Sequence, residues 1–134
     1  MNAGRELDAL VAEKVMGTEK PSREFAPHPY SSNTIHTSRC WHWHYGENDW
    51  LPMPYSADIA AAWETVEAMA AKHSTLKLFS PGARMNDEHD VHATRWAARF
   101  YSWGPPWGPS GPTCEGESAP HAICLAALKA VGAL

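Results

Sequence analysis

Basic charge is not in excess in this sequence: 11 Lys and Arg stand against 15 Asp and Glu, a formal net charge of −4 with histidines neutral. Proteins that grip long nucleic acid usually show the reverse balance, so long DNA or RNA is not an expected partner, while a small local anion site stays open. Cysteine is sparse. Cys40, Cys114 and Cys124 are odd in number and widely spaced, with no C-x-x-C pair, which argues against a disulfide framework and for reduced thiols. No run of 18 apolar residues occurs, so no membrane span is expected. The opening MNAGRELDAL carries acidic residues where a secretory signal has a continuous apolar stretch. Together these features predict a protein of the cytoplasm.

What is abundant is tryptophan and proline. The 134 residues hold seven Trp and eleven Pro. Trp gives much buried area per side chain, so a small sheet can be covered by few residues. Proline confines strands to edges and stiffens loops. The length predicts a single domain over residues 1–134, able to bury a core without staples.

Three helices are expected. In residues 5–17, Leu7, Leu10, Val11 and Val15 form one apolar stripe, and Gly17 stands where a helix terminator belongs. The second helix is expected to start at Ser56 as N-cap with Asp58 in its first turn, and to bury Ile59, Ala62, Trp63, Val66, Met69 and Ala70. The third begins near Ser118 with Pro120 in its first turn. It is apolar nearly all round, so Ile123, Leu125, Ala127 and Leu128 should be buried and Cys124 should be an inert thiol. Between the helices, residues 38–45 alternate, with Cys40, His42 and His44 on one face and Trp41, Trp43 and Tyr45 on the other. Residues 50–54 hold two prolines and suit only an extended lead-in or a short edge strand. Residues 76–80 and 94–103 read as further strands joined through a polar loop at 81–88, and residues 104–117 read as irregular. Trp63 and Trp96 are expected in the core.

The stretches RELDALVAEKVMG, YSADIAAAWETVE, the loose W-A-x-F of residues 96–100, and SAPHAICLAALKAVG, in that order, resemble the phage ABA-sandwich domain family. The resemblance implies a phage or prophage origin and a three-layer α/β/α sandwich with a small, mainly antiparallel sheet. It carries no catalytic residues over to this chain, because the matching positions are mostly apolar core positions.

Two side-chain groups invite a chemical reading. Cys40, His42 and His44 could offer thiolate and imidazole to zinc, with His89, His92, Cys114, His121 or Cys124 completing a set. No spacing forces such a set, and ordinary hydrogen bonding explains a lone H-x-H, so neither metal nor cofactor is expected. The second group is Arg84, Arg95, Arg99, Trp103 and Trp107, with Tyr101. Arginine forks bind phosphate and aromatic faces stack bases, whereas the plain alternative is a Trp-rich core edged with arginines. Neither G-x-S-x-G nor a P-loop is present, and the patch Asp87, Glu88, His89, Asp90 and His92 reads as solvated surface, so no catalytic residue is assigned.

The expected function is therefore that of a phage accessory protein acting by binding, with sequestration of a nucleotide immune signal as its leading form. The rivals are a non-enzymatic module that docks on a host or phage protein and a zinc-dependent enzyme. A homo-oligomer is compatible with either binding role.

Overall fold

The apolar stripe at the start of the chain folds as helix α1 (Arg5–Leu10), which continues as a π-helical turn over Val11–Val15. Leu7, Val11 and Val15 are buried along it, joined by Ala12. Gly17 leaves the helix at φ 73°, a left-handed conformation in which an L side chain would be strained. The computed structural model describes residues 1–26, 40–81 and 95–134. The loop expected at 81–88 lies outside the described residues apart from Pro81.

β1 (Trp41–His44) and β2 (Asp49–Pro52) form an antiparallel hairpin in which Trp43 faces Trp50. The alternation is the expected one: Trp41 and Trp43 are buried, while His42 is half-buried and His44 exposed. Trp43 and Trp50 meet edge to face with centroids 5.6 Å apart, the favoured aromatic geometry. The indole N–H of Trp41 donates to the Thr18 carbonyl at 3.0 Å and that of Trp50 to the Ser22 carbonyl at 3.2 Å. These bonds hold residues 18–22 across the hairpin and leave neither buried donor unmet.

Helix α2 (Ile59–Ala71) departs from the sequence reading at two points. Its N-cap is Asp58, whose carboxylate accepts from the backbone N–H groups of Ala60 and Ala61, rather than Ser56. Ser56 is instead buried: its hydroxyl accepts from Gly4 N–H at 2.9 Å, and its own N–H donates to the Asp8 carboxylate at 2.7 Å. The buried face is also rotated. It consists of Ala61, Ala62, Thr65 and Met69, and Trp63 is 50% exposed, which turns the inner face by about a quarter turn from the one expected. The physical reason is the neighbour. α2 packs along α3, and two backbones approach closely only over small residues, so Ala61 and Ala62 face inward and the bulky Ile59 and Trp63 face out.

β3 (Ser74–Phe79), β4 (Trp96–Ser102) and β5 (Cys114–Gly116) form an antiparallel sheet in the order β3–β4–β5. Register pairs Leu76 with Phe100 and Leu78 with Ala98, while Cys114 pairs with Ala98 from the other side. β5 corrects the expectation that residues 104–117 hold no regular element. The last proline of that stretch is Pro112, so Cys114–Gly116 is free to pair.

Helix α3 (Ala119–Ala130) starts as expected. Ser118 is its N-cap, accepting from His121 N–H at 3.2 Å, and Pro120 sits in the first turn. Ile123, Cys124, Ala127 and Leu128 are fully buried and Leu125 half-buried. α3 packs on β4 and β5, on α2 and on the π turn. Phe100 and Trp41 belong to the same core, and Trp96 packs against it half-buried. The helices and small antiparallel sheets make the α+β sandwich that the sequence implies, with the strands divided into the hairpin and the three-stranded sheet. No helix among the described residues is long and apolar enough to cross a membrane.

Asp8 is the charged side chain most deeply placed in this core. Burial pushes its carboxyl pKa up, against the opposing pull of the Ser56 hydrogen bonds. A folded-state pKa above the unfolded one means that stability is fullest at acid pH and declines as pH rises through the carboxylate range. Asp8→Asn keeps an acceptor for Ser56 N–H and removes the buried charge. The variant is expected to melt above the parent at pH ~7 and to lose that advantage towards pH ~3. Equal melting at both pH values would show that Asp8 carries no such cost.

Candidate functional site

Period two along β4 puts Arg99, Tyr101 and Trp103 on the sheet face opposite Leu76, Ala98 and Phe100. Register adds Lys77, the cross-strand partner of Arg99, and Phe79, the partner of Ala97. Two cations lie over aromatic rings here: the Arg99 guanidinium 5.5 Å from the Tyr101 centroid, and the Lys77 ammonium 5.4 Å from that of Phe79. Contacts of this kind contribute modestly at exposed sites and more when dry.

At the end of the strand the chemistry becomes more unusual. Trp103 is 57% exposed and stacks on the His73 ring, centroids 4.6 Å apart and planes 27° from parallel. Its backbone N–H donates to the His73 carbonyl at 3.3 Å. His73 follows the C-cap of α2 with φ 62°, a left-handed conformation that few residues other than Gly and Asn adopt there. Its Nδ1 is buried and has no hydrogen-bond partner among the described residues. Strained backbone and an unsatisfied buried polar atom are costs that a fold carries more often at sites of function. Sequence reading missed His73. The one signal for it was its place between the apolar face of α2 and the next strand.

The loop after Trp103 is pinned at its base. Gly108 N–H donates to the Ser102 hydroxyl at 2.8 Å, and the Ser74 hydroxyl donates to the Pro109 carbonyl at 2.7 Å. Gly108 lies so close to the Lys72 and His73 carbonyls that a Cβ there would overlap backbone. The loop carries Trp107 at 77% exposure. The base of the loop is thus fixed at the junction of α2 and β3, where Trp103 stacks on His73.

The five expected ligand residues are therefore not all gathered. Trp103 and Trp107 share this end of the sheet, and Arg99 lies roughly 13 Å from Trp103 along the strand by its rise per residue. Arg95 is exposed just before β4, roughly 26 Å from Trp103 by the same measure. Arg84 lies outside the described residues, as do His89, His92, Asp87, Glu88 and Asp90.

The Cys and His groups have structural surroundings. Cys40 is buried with its thiol 3.4 Å from the Thr18 hydroxyl, and His44 Nδ1 accepts from Glu47 N–H at 3.1 Å. His121 Nδ1 accepts from Glu117 N–H at 3.2 Å, which leaves Nε2–H to donate to the Met1 carbonyl at 2.9 Å. Burial, aided by the nearby Asp8 charge, pushes the Cys124 thiol far up, and burial also raises that of Cys114. Both are thus poor nucleophiles. Among the described residues no three His, Cys, Asp or Glu side chains are grouped to hold a metal ion.

Comparison with known proteins adds origin and fold. The model of a family described as the Phage ABA sandwich domain matches residues 9–128. A 2.0 Å crystal structure of a phage protein from Bacillus cereus ATCC 14579 superposes with a TM-score of 0.54 at 20% identity, covering 97% of this chain and 92% of that one. That likeness bears on the fold alone. A comparison with curated proteins finds no match.

Proposed function

Because the chain belongs to the phage ABA sandwich domain family, we propose that it serves its phage as a binding protein without catalysis, and that it sequesters a small nucleotide. The observation that carries this reading is the stack of half-exposed Trp103 on His73, a strained residue with an unsatisfied buried nitrogen. The outer face of Trp103 offers a base a flat surface, Trp107 is a second exposed indole in the loop that follows, and Lys77 and Arg99 provide positive charge along the same sheet face for phosphates. A protein that captures a host immune nucleotide needs no more than this, since holding the ligand is the whole task.

Isothermal titration against a panel of linear and cyclic nucleotides tests the reading. Binding tighter than millimolar is expected for at least one member. Trp103→Ala should weaken it by about 1–3 kcal/mol through lost stacking, which is about fivefold to over a hundredfold in affinity. Absence of binding across the panel, or affinity unchanged in the variant, sinks the proposal.

A second reading has its own support. Ile59 and Trp63, one turn apart on the outer side of α2, are 52% and 50% exposed, an apolar pair that suits docking on a host or phage protein.

A further inference from the structure

Register sets two cations directly against each other. Lys77 on β3 and Arg99 on β4 are cross-strand partners, and both are half-buried. Like charges that face each other across an antiparallel pair destabilise it. Glu115 on β5 is the register partner of Ala97, which puts it diagonally across from Arg99 on the same face. Over these three strands the face therefore carries two cations to one acid, an excess that an anion lying on the sheet offsets.

The two charges do not converge on one spot. The Arg99 guanidinium lies 5.5 Å from the ring centroid of Tyr101, so it leans along β4 towards Trp103. The Lys77 ammonium lies 5.4 Å from that of Phe79, so it leans the other way. Phe79 is the register partner of Ala97, at the far end of β4 from Trp103. By the rise of a strand, the first charge stands about 7–13 Å from Trp103 and the second about 13–20 Å. One end of the sheet thus offers an exposed indole, and two cations follow it in line.

We propose that the ligand of this face is a linear nucleoside polyphosphate, laid along β4 with its base on Trp103, its first phosphate at Arg99 and its terminal phosphates at Lys77. The inference rests on the base stack advanced under the proposed function and adds the class of ligand to it. Each phosphoanhydride link carries negative charge further from the base, in the direction in which the second cation lies. A cyclic mononucleotide has its phosphate closed back on the ribose, beside the base. It can meet Arg99 and leaves Lys77 unmatched.

The test is isothermal titration of the parent protein with adenosine, its mono-, di- and triphosphates and its cyclic monophosphate, and with the same guanosine series. Affinity is expected to climb along one linear series, by about tenfold or more from mono- to triphosphate. The cyclic form should bind no tighter than the linear monophosphate. Lys77→Gln should remove the gain from di- to triphosphate, and Arg99→Gln the gain from nucleoside to monophosphate. Equal affinity along the linear series, tightest binding by the cyclic form, or a climb that survives both substitutions overturns the proposal. If Trp103→Ala still weakens binding in any of those cases, the base stack stands without it. Absence of binding by every member of both series overturns the polyphosphate, and the base stack falls with it only if the wider nucleotide panel also fails. The climb is read on the parent protein, so it does not depend on how any variant folds.

Discussion

Phe100→Ala is expected to destabilise the protein by about 3–5 kcal/mol and to lower its melting temperature by on the order of 10–20 °C, while Trp63→Ala should leave it within a few degrees of the parent. Phe100 is wholly buried in the middle of β4, facing α3 across the sheet and paired with Leu76. Removing its ring leaves a cavity that the surrounding sheet and helix cannot both collapse to fill. Trp63 is the larger residue and by hydrophobicity the more conspicuous one, yet half its surface is in water. Surface substitutions usually change stability by no more than about 0.5 kcal/mol. Thermal unfolding of the two variants side by side checks the pair. A larger loss for Trp63→Ala would mean that α2 is rotated from the orientation described.

Gly116→Ala is the second substitution with a large expected effect, although it adds one methyl group. A Cβ at Gly116 would stand 2.5 Å from the backbone nitrogen of Ala122 and 2.9 Å from its Cα. Neither atom belongs to a side chain that could swing aside. The first turn of α3 must lift or β5 must drop away from β4. Overpacking of this kind typically costs about 1–3 kcal/mol, and here it acts on the helix that touches most of the fold. A clear drop in melting temperature, with loss of amide-exchange protection in residues 114–116, is expected. Unchanged melting would show that β5 and α3 are less closely packed than these distances imply.

The sequence made some of this architecture legible because local rules and tertiary packing agreed. Ser118 with Pro120 two residues on marks the start of α3, and the all-round apolar surface that follows has nowhere to go but inside. Trp41 and Trp43 announce their face of β1 by strict alternation. Elsewhere the deciding fact lay in another part of the chain. Which side of α2 is buried depends on the small residues that α3 requires across from it, and Ser56 is withdrawn from capping by the Asp8 carboxylate, 48 residues before it. β5 is three residues long and follows a run of prolines, too short for periodicity to register. At the candidate site, Trp103 was legible as an aromatic at the end of a strand and Trp107 as one in the Pro-rich loop after it. The residue beneath Trp103 was not, since no pattern announces that His73 will take a left-handed backbone. Arg95 was grouped with residues from which the length of β4 separates it.

The central position of α3 also bears on how the chain acquires its structure during synthesis. β3 and β4 can pair before α3 exists, but the surface formed by Leu76, Leu78, Ala98 and Phe100 then has no cover. α1 and its π turn likewise bury their stripe in part against this same helix. Because α3 follows every other described element in chain order, α3 must leave the ribosome before those elements can close around it. Contacts that span so much sequence slow folding, and apolar surface left open meanwhile invites association with other nascent chains. Yield in an infected or lysogenic cell should therefore depend on chaperone capacity more than the modest size of the domain would imply.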